Sequence, residues 1–218
     1  MKNIKFFATF VIISLCVGSI HGARFIFGPK GKVTFDQRIL SRSQGSPNAP
    51  VWIVEYMDYQ CPACQKAFFI MEAYLKEYPS RIHFQVRFHP LKQHSHGPQS
   101  ALYAECAAKQ KKFWPFHRIL FESQKEWETE ILVDDRFHDY AEKAGLNLRA
   151  LDACLAEPIT AQTVEKENTD SLALGVNQTP TFFVNGKMIA GLKGMTEELK
   201  KLFPDLVLTD KKDETTSN

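Results

Sequence analysis

Two cysteines separated by two residues carry the clearest chemistry in this chain. They form the segment Cys61-Pro62-Ala63-Cys64, three residues after the apolar run Val51–Met57. A Cys-x-x-Cys pair can close a disulfide and exchange it with other thiols. The same pair can form half of a zinc site, which needs two further ligands. We therefore predict thiol–disulfide chemistry at this segment, and zinc binding or a purely structural disulfide are the alternatives.

The surrounding sequence predicts that Cys61 is the more reactive cysteine. From Pro62 to Tyr78 apolar residues recur every three or four positions, which indicates an amphipathic helix. Proline suits the first helical position because its missing N–H costs nothing there. Cys61 then falls at the N-cap, where free N–H groups and the helix dipole favour a thiolate. We expect Cys64, three residues later, to be the more buried partner.

The rest of the chain predicts an α/β domain with inserted helices. Residues 51–57 and 82–88 are two strand candidates, and the pattern is helical from about residue 97 to 175. Strands then return on either side of Asn185-Gly186, the strongest short hairpin signal. The turn-rich segment 41–50 is interpreted as a linker. Thr196 is predicted to cap a last helix that ends near Phe203.

The first residues predict export. Lys2 and Lys5 precede an apolar run of about 15 residues, the form of a secretory signal peptide, so residues 1–22 are assigned to it. The run is short for a membrane span. An uncleaved N-terminal membrane anchor is the alternative, and lipidation of Cys16 is disfavoured because Leu15 precedes it. We assign residues 23–204 to one domain and expect residues 205–218, a polar tail, to be disordered.

Charge and cysteine number narrow the function classes. The predicted signal peptide takes two of the 27 basic residues and none of the 25 acidic ones. The remaining chain is nearly neutral and offers no field that would attract nucleic acid. Four of the five cysteines remain, and an even number in an exported chain favours disulfides, of which three connectivities are possible.

Three segments together resemble the DsbA-like proteins of the thioredoxin superfamily. These segments are Glu55–Cys64, the helical stretch Ala101–His117 and Gly175–Gly186. The resemblance covers about residues 46–204 and implies a thioredoxin fold, a central mixed sheet flanked by helices, with a helical insertion at about 97–160. It also implies an enzyme that needs no cofactor beyond its Cys61–Cys64 disulfide and binds no metal.

The resemblance also assigns residues. Cys61 matches the exposed nucleophile and Cys64 the resolving cysteine, while Glu55 matches a buried acid that can move the Cys64 proton. Thr179-Pro180 matches a cis-proline loop which, together with Pro62 and Ala63, contacts the substrate. Some relatives carry a second, structural disulfide, and here Cys106 and Cys154 would form it. Two buried free thiols are the alternative.

The function implied is an exported, periplasmic oxidase that introduces disulfides into unfolded or thiol-bearing proteins. A DsbB-type membrane protein would reoxidise it. Ala63 replaces the histidine of well-known members, so we expect a weaker oxidant. A reductase or isomerase of the same fold is the alternative, because Thr179 also occurs before the cis-proline of isomerase-type relatives. We expect a monomer, since there is no room for their dimerisation domain.

Three histidines follow the second predicted strand. His89 ends this strand, and His94 and His96 lie in the loop after it. They are too loosely spaced to complete a zinc site with the cysteine pair. We interpret them as surface or capping residues.

Overall fold

The computed structural model describes residues 36–206. The predicted signal peptide and residues 207–218 of the predicted tail lie outside the described residues. The assigned domain bounds stay a prediction. No helix within 36–206 has both the length and the apolar character needed to cross a membrane.

Five strands form one mixed sheet in the order β1-β3-β2-β4-β5. Their bounds are Ser43–Gly45 (β1), Val51–Met57 (β2), Ile82–Phe88 (β3), Thr181–Val184 (β4) and Lys187–Ala190 (β5). The central strands β2 and β3 run parallel, with Val51 opposite Ile82, and the other pairs are antiparallel. Strand β2 lies inside the sheet and is buried apart from Trp52, which explains its nearly continuous apolar sequence.

Helices cover this sheet and fill the long connection between β3 and β4. A short 3₁₀ helix, Gln37–Arg42, precedes β1, and α1, Pro62–Glu77, connects β2 to β3. The six helices of the long connection, here called the helical layer, are α2 (Gly97–Lys109), α3 (Phe113–Glu122), α4 (Gln124–Trp127), α5 (Asp134–Lys143), α6 (Leu148–Ala156) and α7 (Pro158–Ala173). The last helix is α8, Gly191–Leu202. The sheet with its flanking helices is the predicted α/β thioredoxin fold.

Two details of the sequence interpretation are wrong. The segment interpreted as a linker contains β1, which pairs with β3 over only three residues. The last helix begins at Gly191, not after Thr196, whose hydroxyl donates to the carbonyl of Leu192 inside the helix. Gly191 starts the helix because its positive φ of 77° turns the chain directly out of β5.

A buried ion pair connects the helical layer to the sheet. The Arg42 side chain is fully buried, and its guanidinium donates to both carboxylate oxygens of Glu167 at 2.9 and 2.5 Å. The same carboxylate accepts the N–H of Phe88 at 2.9 Å, and a Glu105 oxygen lies 3.4 Å from the guanidinium. Three elements, β3, α2 and α7, are thus held by one cation at the end of the 3₁₀ helix.

A disulfide joins Cys106 of α2 to Cys154 of α6. The bond spans 48 residues of the helical layer. By chain entropy a loop of this length stabilises the fold by roughly 4 kcal/mol. Cys61 and Cys64 are both free thiols, so the structure holds the Cys-x-x-Cys pair in its dithiol form.

We expect Arg42→Met to lower the free energy of unfolding by roughly 3–5 kcal/mol, because Glu105 and Glu167 would keep like charges in a mostly buried site. Urea unfolding followed by circular dichroism measures this loss. The matched control is Lys166→Met, which removes an exposed ion pair with Asp170 and should change stability by less than about 0.5 kcal/mol. Equal stability of the two variants would contradict the assigned role of Arg42.

Candidate active site

Cys61 lies at the start of α1, after the loop that connects β2 to this helix. It is the N-cap of α1, in an extended conformation (φ −81°, ψ 119°), and Pro62 is the first helical residue. The Cys61 carbonyl accepts the N–H of Cys64 at 3.0 Å and of Gln65 at 3.2 Å. Cys61 is 6 % exposed and Cys64 is completely buried (0 %). Of the two cysteines only Cys61 reaches the surface, and it is less exposed than the resemblance implies, because the loop before β4 lies against it.

The two thiols differ strongly in acidity. The pKa of Cys61 is lowered to about 6, first because the Cys64 thiol donates a hydrogen bond to its sulfur. Backbone N–H groups of Ala63 and Cys64 act in the same direction, against the effect of partial burial. Burial raises the pKa of Cys64 well above its usual value, and the hydrogen bond to Cys61 raises it further. At pH 7, Cys61 is about nine-tenths thiolate, while Cys64 keeps its proton.

The loop before β4 lies against the Cys61 sulfur. The Thr179–Pro180 peptide bond is cis, and Cys61 Sγ lies 3.5 Å from the Thr179 carbonyl oxygen. Both loop residues are buried. Pro62 is exposed and Ala63 half-buried, so the outer surface of the motif is open. The structure therefore brings Cys61, Thr179 and Pro180 together, 118 positions apart in sequence.

Glu55 is a buried acid near the cysteines. It lies in β2 opposite Val86 of β3 and Phe182 of β4, and it is 3 % exposed. Burial, and secondly the negative charge of Cys61, raise the pKa of Glu55 to about 8. The negative charge of Glu55 in turn helps to raise the pKa of Cys64. Glu55 can thus take up or release a proton near neutral pH.

A cleft of about 360 Å³ reaches Glu55 from one side. Its walls come from α1 and α3 and are largely apolar, with Phe68 and Trp114 among them. An ion pair between Glu72 and Arg118 lies on its partly exposed rim. The cleft is separate from the Cys61 sulfur, because none of the cysteines lines it.

Sequence reasoning missed the side chains that hold the loop before Cys61. Asp58 accepts three hydrogen bonds, from the N–H of Gln60 (2.8 Å), the N–H of Leu91 (2.7 Å) and Nδ1 of His94 (2.8 Å). Its carboxylate is fully buried. The sequence offered only an acid three residues before the motif, because two of the three partners of Asp58 come from a loop more than 30 residues away.

A glutamine from the helical layer fixes the other side of this loop. The buried Gln124 amide donates to the carbonyl of Tyr59 at 2.6 Å and to that of Cys61 at 3.1 Å. Nothing in the short helix α4 indicates this role, because only the packing brings it to the motif. Tyr59 itself makes a 2.8 Å hydrogen bond to His117, whose pKa burial lowers to about 3. His117 is thus a neutral part of the packing.

Of the three histidines interpreted as surface or capping residues, two do not lie at the surface, and one of these, His96, is the N-cap residue of α2, although its side chain makes no capping hydrogen bond. His89 is buried and bonds the Ser171 hydroxyl at 2.6 Å, and buried His96 bonds the Glu130 carbonyl at 2.7 Å. Their neighbours in the folded chain, not in sequence, cover them. Within residues 36–206 no group of three histidine, cysteine or acidic side chains is arranged to hold a metal ion.

Fold and site together define a class. A parallel strand–helix–strand arrangement with Cys-x-x-Cys at the helix N-terminus, faced by a cis-proline before an antiparallel hairpin, is a thioredoxin-fold dithiol site. A family model described as thioredoxin matches residues 38–203. The chain belongs to this thioredoxin family, and its fold is that of the DsbA-like proteins.

Solved structures support this placement. Oxidised BdbD from Bacillus subtilis is 26% identical, with a TM-score of 0.65, covering 78% of this chain and 95% of its own. The thiol–disulfide exchange protein α-DsbA2 from Wolbachia pipientis has a TM-score of 0.61 at 18% identity, covering 73% of this chain and 86% of its own. At that identity the second likeness concerns the fold alone.

Curated relatives carry a related segment within larger proteins. The chain is 32% identical over 148 residues to the Na⁺/H⁺ antiporter NhaA of Herminiimonas arsenicoxydans, covering 68% of this chain and 23% of the relative. It is 34% identical over 145 residues to the antiporter NhaA 3 of Salinispora tropica, covering 66% and 21%. The chain thus spans less than a quarter of these relatives, and their antiporter names say nothing about its own activity.

The lowered pKa of Cys61 can be measured directly. Thiolate absorbance of the reduced protein at 240 nm should titrate with a midpoint near pH 6, because the ionised form of Cys61 is the stabilised one. A Cys61→Ser variant should lack this transition, while the Cys64 thiol stays protonated to well above pH 9. A midpoint at the ordinary value of 9.0 would contradict the described site.

Proposed function

We propose that this chain is an exported thiol–disulfide oxidoreductase whose oxidised Cys61–Cys64 pair introduces disulfides into other exported proteins. The observation that carries the proposal is the placement of the two thiols, with Cys61 at the N-cap of α1 and Cys64 completely buried behind it. This placement lowers the pKa of Cys61 to about 6 and raises that of Cys64. An acidic thiol is a good leaving group, and a buried neighbour that keeps its proton does not compete for the substrate.

The first step forms a mixed disulfide. A substrate thiolate attacks the Cys61 sulfur of the oxidised pair, a new S–S bond forms, and the Cys61–Cys64 bond breaks. Cys64 leaves with the electron pair and must be protonated because it is buried. In our proposal Glu55, whose pKa is raised by burial, supplies that proton and recovers it from water later.

The second step releases the product. The second substrate thiolate attacks the substrate sulfur of the mixed disulfide, and Cys61 leaves as a thiolate. Two electrons have moved from the substrate dithiol to the enzyme, which is now reduced. A drop in pKa from 9.0 to about 6 stabilises this thiolate by roughly 4 kcal/mol, which favours the reduced enzyme and hence substrate oxidation.

The surface around Cys61 can accommodate an extended polypeptide substrate. The Thr179 carbonyl, directly before Pro180, lies 3.5 Å from the Cys61 sulfur, and Pro62 and Ala63, which follow Cys61, are exposed and half-buried. In our proposal these four residues contact the substrate.

The partners are unfolded or thiol-bearing exported proteins in the periplasm and a DsbB-type membrane protein that reoxidises the pair. The chain acts as a monomer, and Cys106–Cys154 has a structural role.

The reverse direction is the second candidate, a reductase or isomerase. Ala63 favours it, since no positive side chain within the motif adds to the stability of the thiolate. The redox state of Cys61 and Cys64 in living cells, trapped with a thiol-alkylating reagent, separates the two. A mainly oxidised pair supports the oxidase, and a mainly reduced pair supports the alternative.

Purified oxidised protein should oxidise a reduced, unfolded substrate, and Cys61→Ser and Cys64→Ser should each abolish this activity, because neither variant can hold the disulfide. Thiol loss, followed with a colorimetric reagent, measures the rate. Cys106→Ala/Cys154→Ala, which leaves the motif intact, should retain the activity at a temperature where it is folded. If the Cys61 and Cys64 variants oxidise the substrate as the wild type does, the proposed function is wrong.

We expect Glu55→Gln to slow reduction of the oxidised pair by dithiothreitol at pH 7 by about 10-fold or more, because Cys64 loses its proton donor. After correction for the thiolate fraction of dithiothreitol, the wild-type rate should fall as rising pH ionises Glu55, with a midpoint no higher than the value of about 8 that holds beside the Cys61 thiolate, and this limb should be absent in the variant. Stopped-flow fluorescence between pH 6 and 9.5 measures both effects.

The matched control is Glu72→Gln, on the rim of the cleft, which should keep the wild-type profile. Stability gives a second test. The wild type should lose stability relative to Glu55→Gln as pH rises from about 4.5 to about 8, because the unfolded carboxyl ionises first. An unchanged rate profile in Glu55→Gln would exclude Glu55 as the proton donor.

A further inference from the structure

The loop between α4 and α5 exposes two neighbouring apolar side chains. Ile131 is 93 % exposed and Leu132 80 % exposed. Among the large apolar residues that the structure describes as exposed, these are the two most exposed and the only sequence neighbours. Single exposed apolar residues are common on protein surfaces, whereas contiguous exposed apolar patches mark interaction sites.

The loop is held in place by its main chain. The Gln60 amide donates to the Glu128 carbonyl at 2.7 Å, and His96 Nε2 bonds the Glu130 carbonyl at 2.7 Å. Arg136 forms an ion pair with the Glu130 carboxylate. Val133, the next residue after the pair, is buried at 1 % exposure. Anchors on both sides thus fix the backbone while the two apolar side chains point outward.

These anchors also limit the distance between the pair and the redox cysteine. Gln60, which binds the Glu128 carbonyl, directly precedes Cys61. The path from the Cys61 Cα through the Gln60 side chain and along the loop to the Ile131 Cα is at most roughly 25 Å long, which an extended chain of about seven residues spans. A polypeptide whose cysteine reacts with Cys61 can therefore lay its neighbouring residues on this loop.

We propose that Ile131 and Leu132 form a docking surface for the apolar residues that flank a cysteine in an unfolded substrate chain. The inference rests on the proposed function and names the substrate feature that this site selects. Cysteine is among the most buried residue types of folded proteins, so it tends to lie in apolar stretches of sequence, and only an unfolded chain exposes them. The loop is hydrogen-bonded to Gln60, the residue directly before the cysteine that such a chain must reach.

The test compares two reduced dithiol peptides of equal length. One carries leucine and valine three to seven positions from its cysteines, and the other carries serine and glutamine there. The wild type should oxidise the apolar peptide with about 10-fold higher kcat/KM. Ile131→Ser/Leu132→Ser should lose this preference while its rate with dithiothreitol, which has no flanking residues, stays unchanged. The control Leu40→Ser/Ile159→Ser removes two exposed apolar side chains from other elements and should keep the preference.

Each outcome is decisive. A wild type without preference, or a double variant at Ile131 and Leu132 that keeps it, overturns the docking surface. A wild type that oxidises neither peptide nor dithiothreitol overturns the proposed function instead. If the variant also loses its activity towards dithiothreitol, the loop maintains the structure of the Cys61–Cys64 site and is not a docking surface.

Discussion

One hydrogen bond between two sulfur atoms determines the chemistry of this site. The Cys64 thiol donates it to Cys61, and the effect on the two acidities is opposite, since it lowers the pKa of the acceptor and raises that of the donor. The bond exists because Cys61 caps the helix and Cys64 begins its buried face. Both positions follow from the fold, in which a buried parallel strand delivers the chain to the start of α1.

The geometry of this sulfur pair depends on groups outside the helix. Asp58 holds the backbone before the motif, Gln124 holds the carbonyl of Cys61, and the loop ending at Pro180 covers the sulfur. The buried ion pair between Arg42 and Glu167 keeps the helical layer, which supplies Gln124, against the sheet. These contacts hold the backbone around Cys61 in place while its sulfur changes between the disulfide and the free thiolate.

The sequence was sufficient for the parts of the fold that depend on local patterns. The helix start at Pro62 and the hairpin at Asn185-Gly186 follow from side-chain spacing and turn chemistry. The sequence was insufficient where contacts between distant residues determine the structure. β1 exists only through pairing with β3, and Gln124 acts only after packing brings α4 to the motif. The roles of Glu55 and Thr179 came from resemblance, because neither burial nor a cis bond can be derived from periodicity.

The cleft that reaches Glu55 opens well away from the reactive sulfur. Its rim at Glu72 lies eleven residues after Cys61, which corresponds to roughly 16 Å along the axis of α1. A polypeptide bound over Cys61 would exclude water from that surface but leave the cleft on the Glu72 side open to solvent. In the proposed mechanism, water in this cleft reprotonates the Glu55 carboxylate while the mixed disulfide still exists, so that electrons enter at one face of the molecule and protons at another.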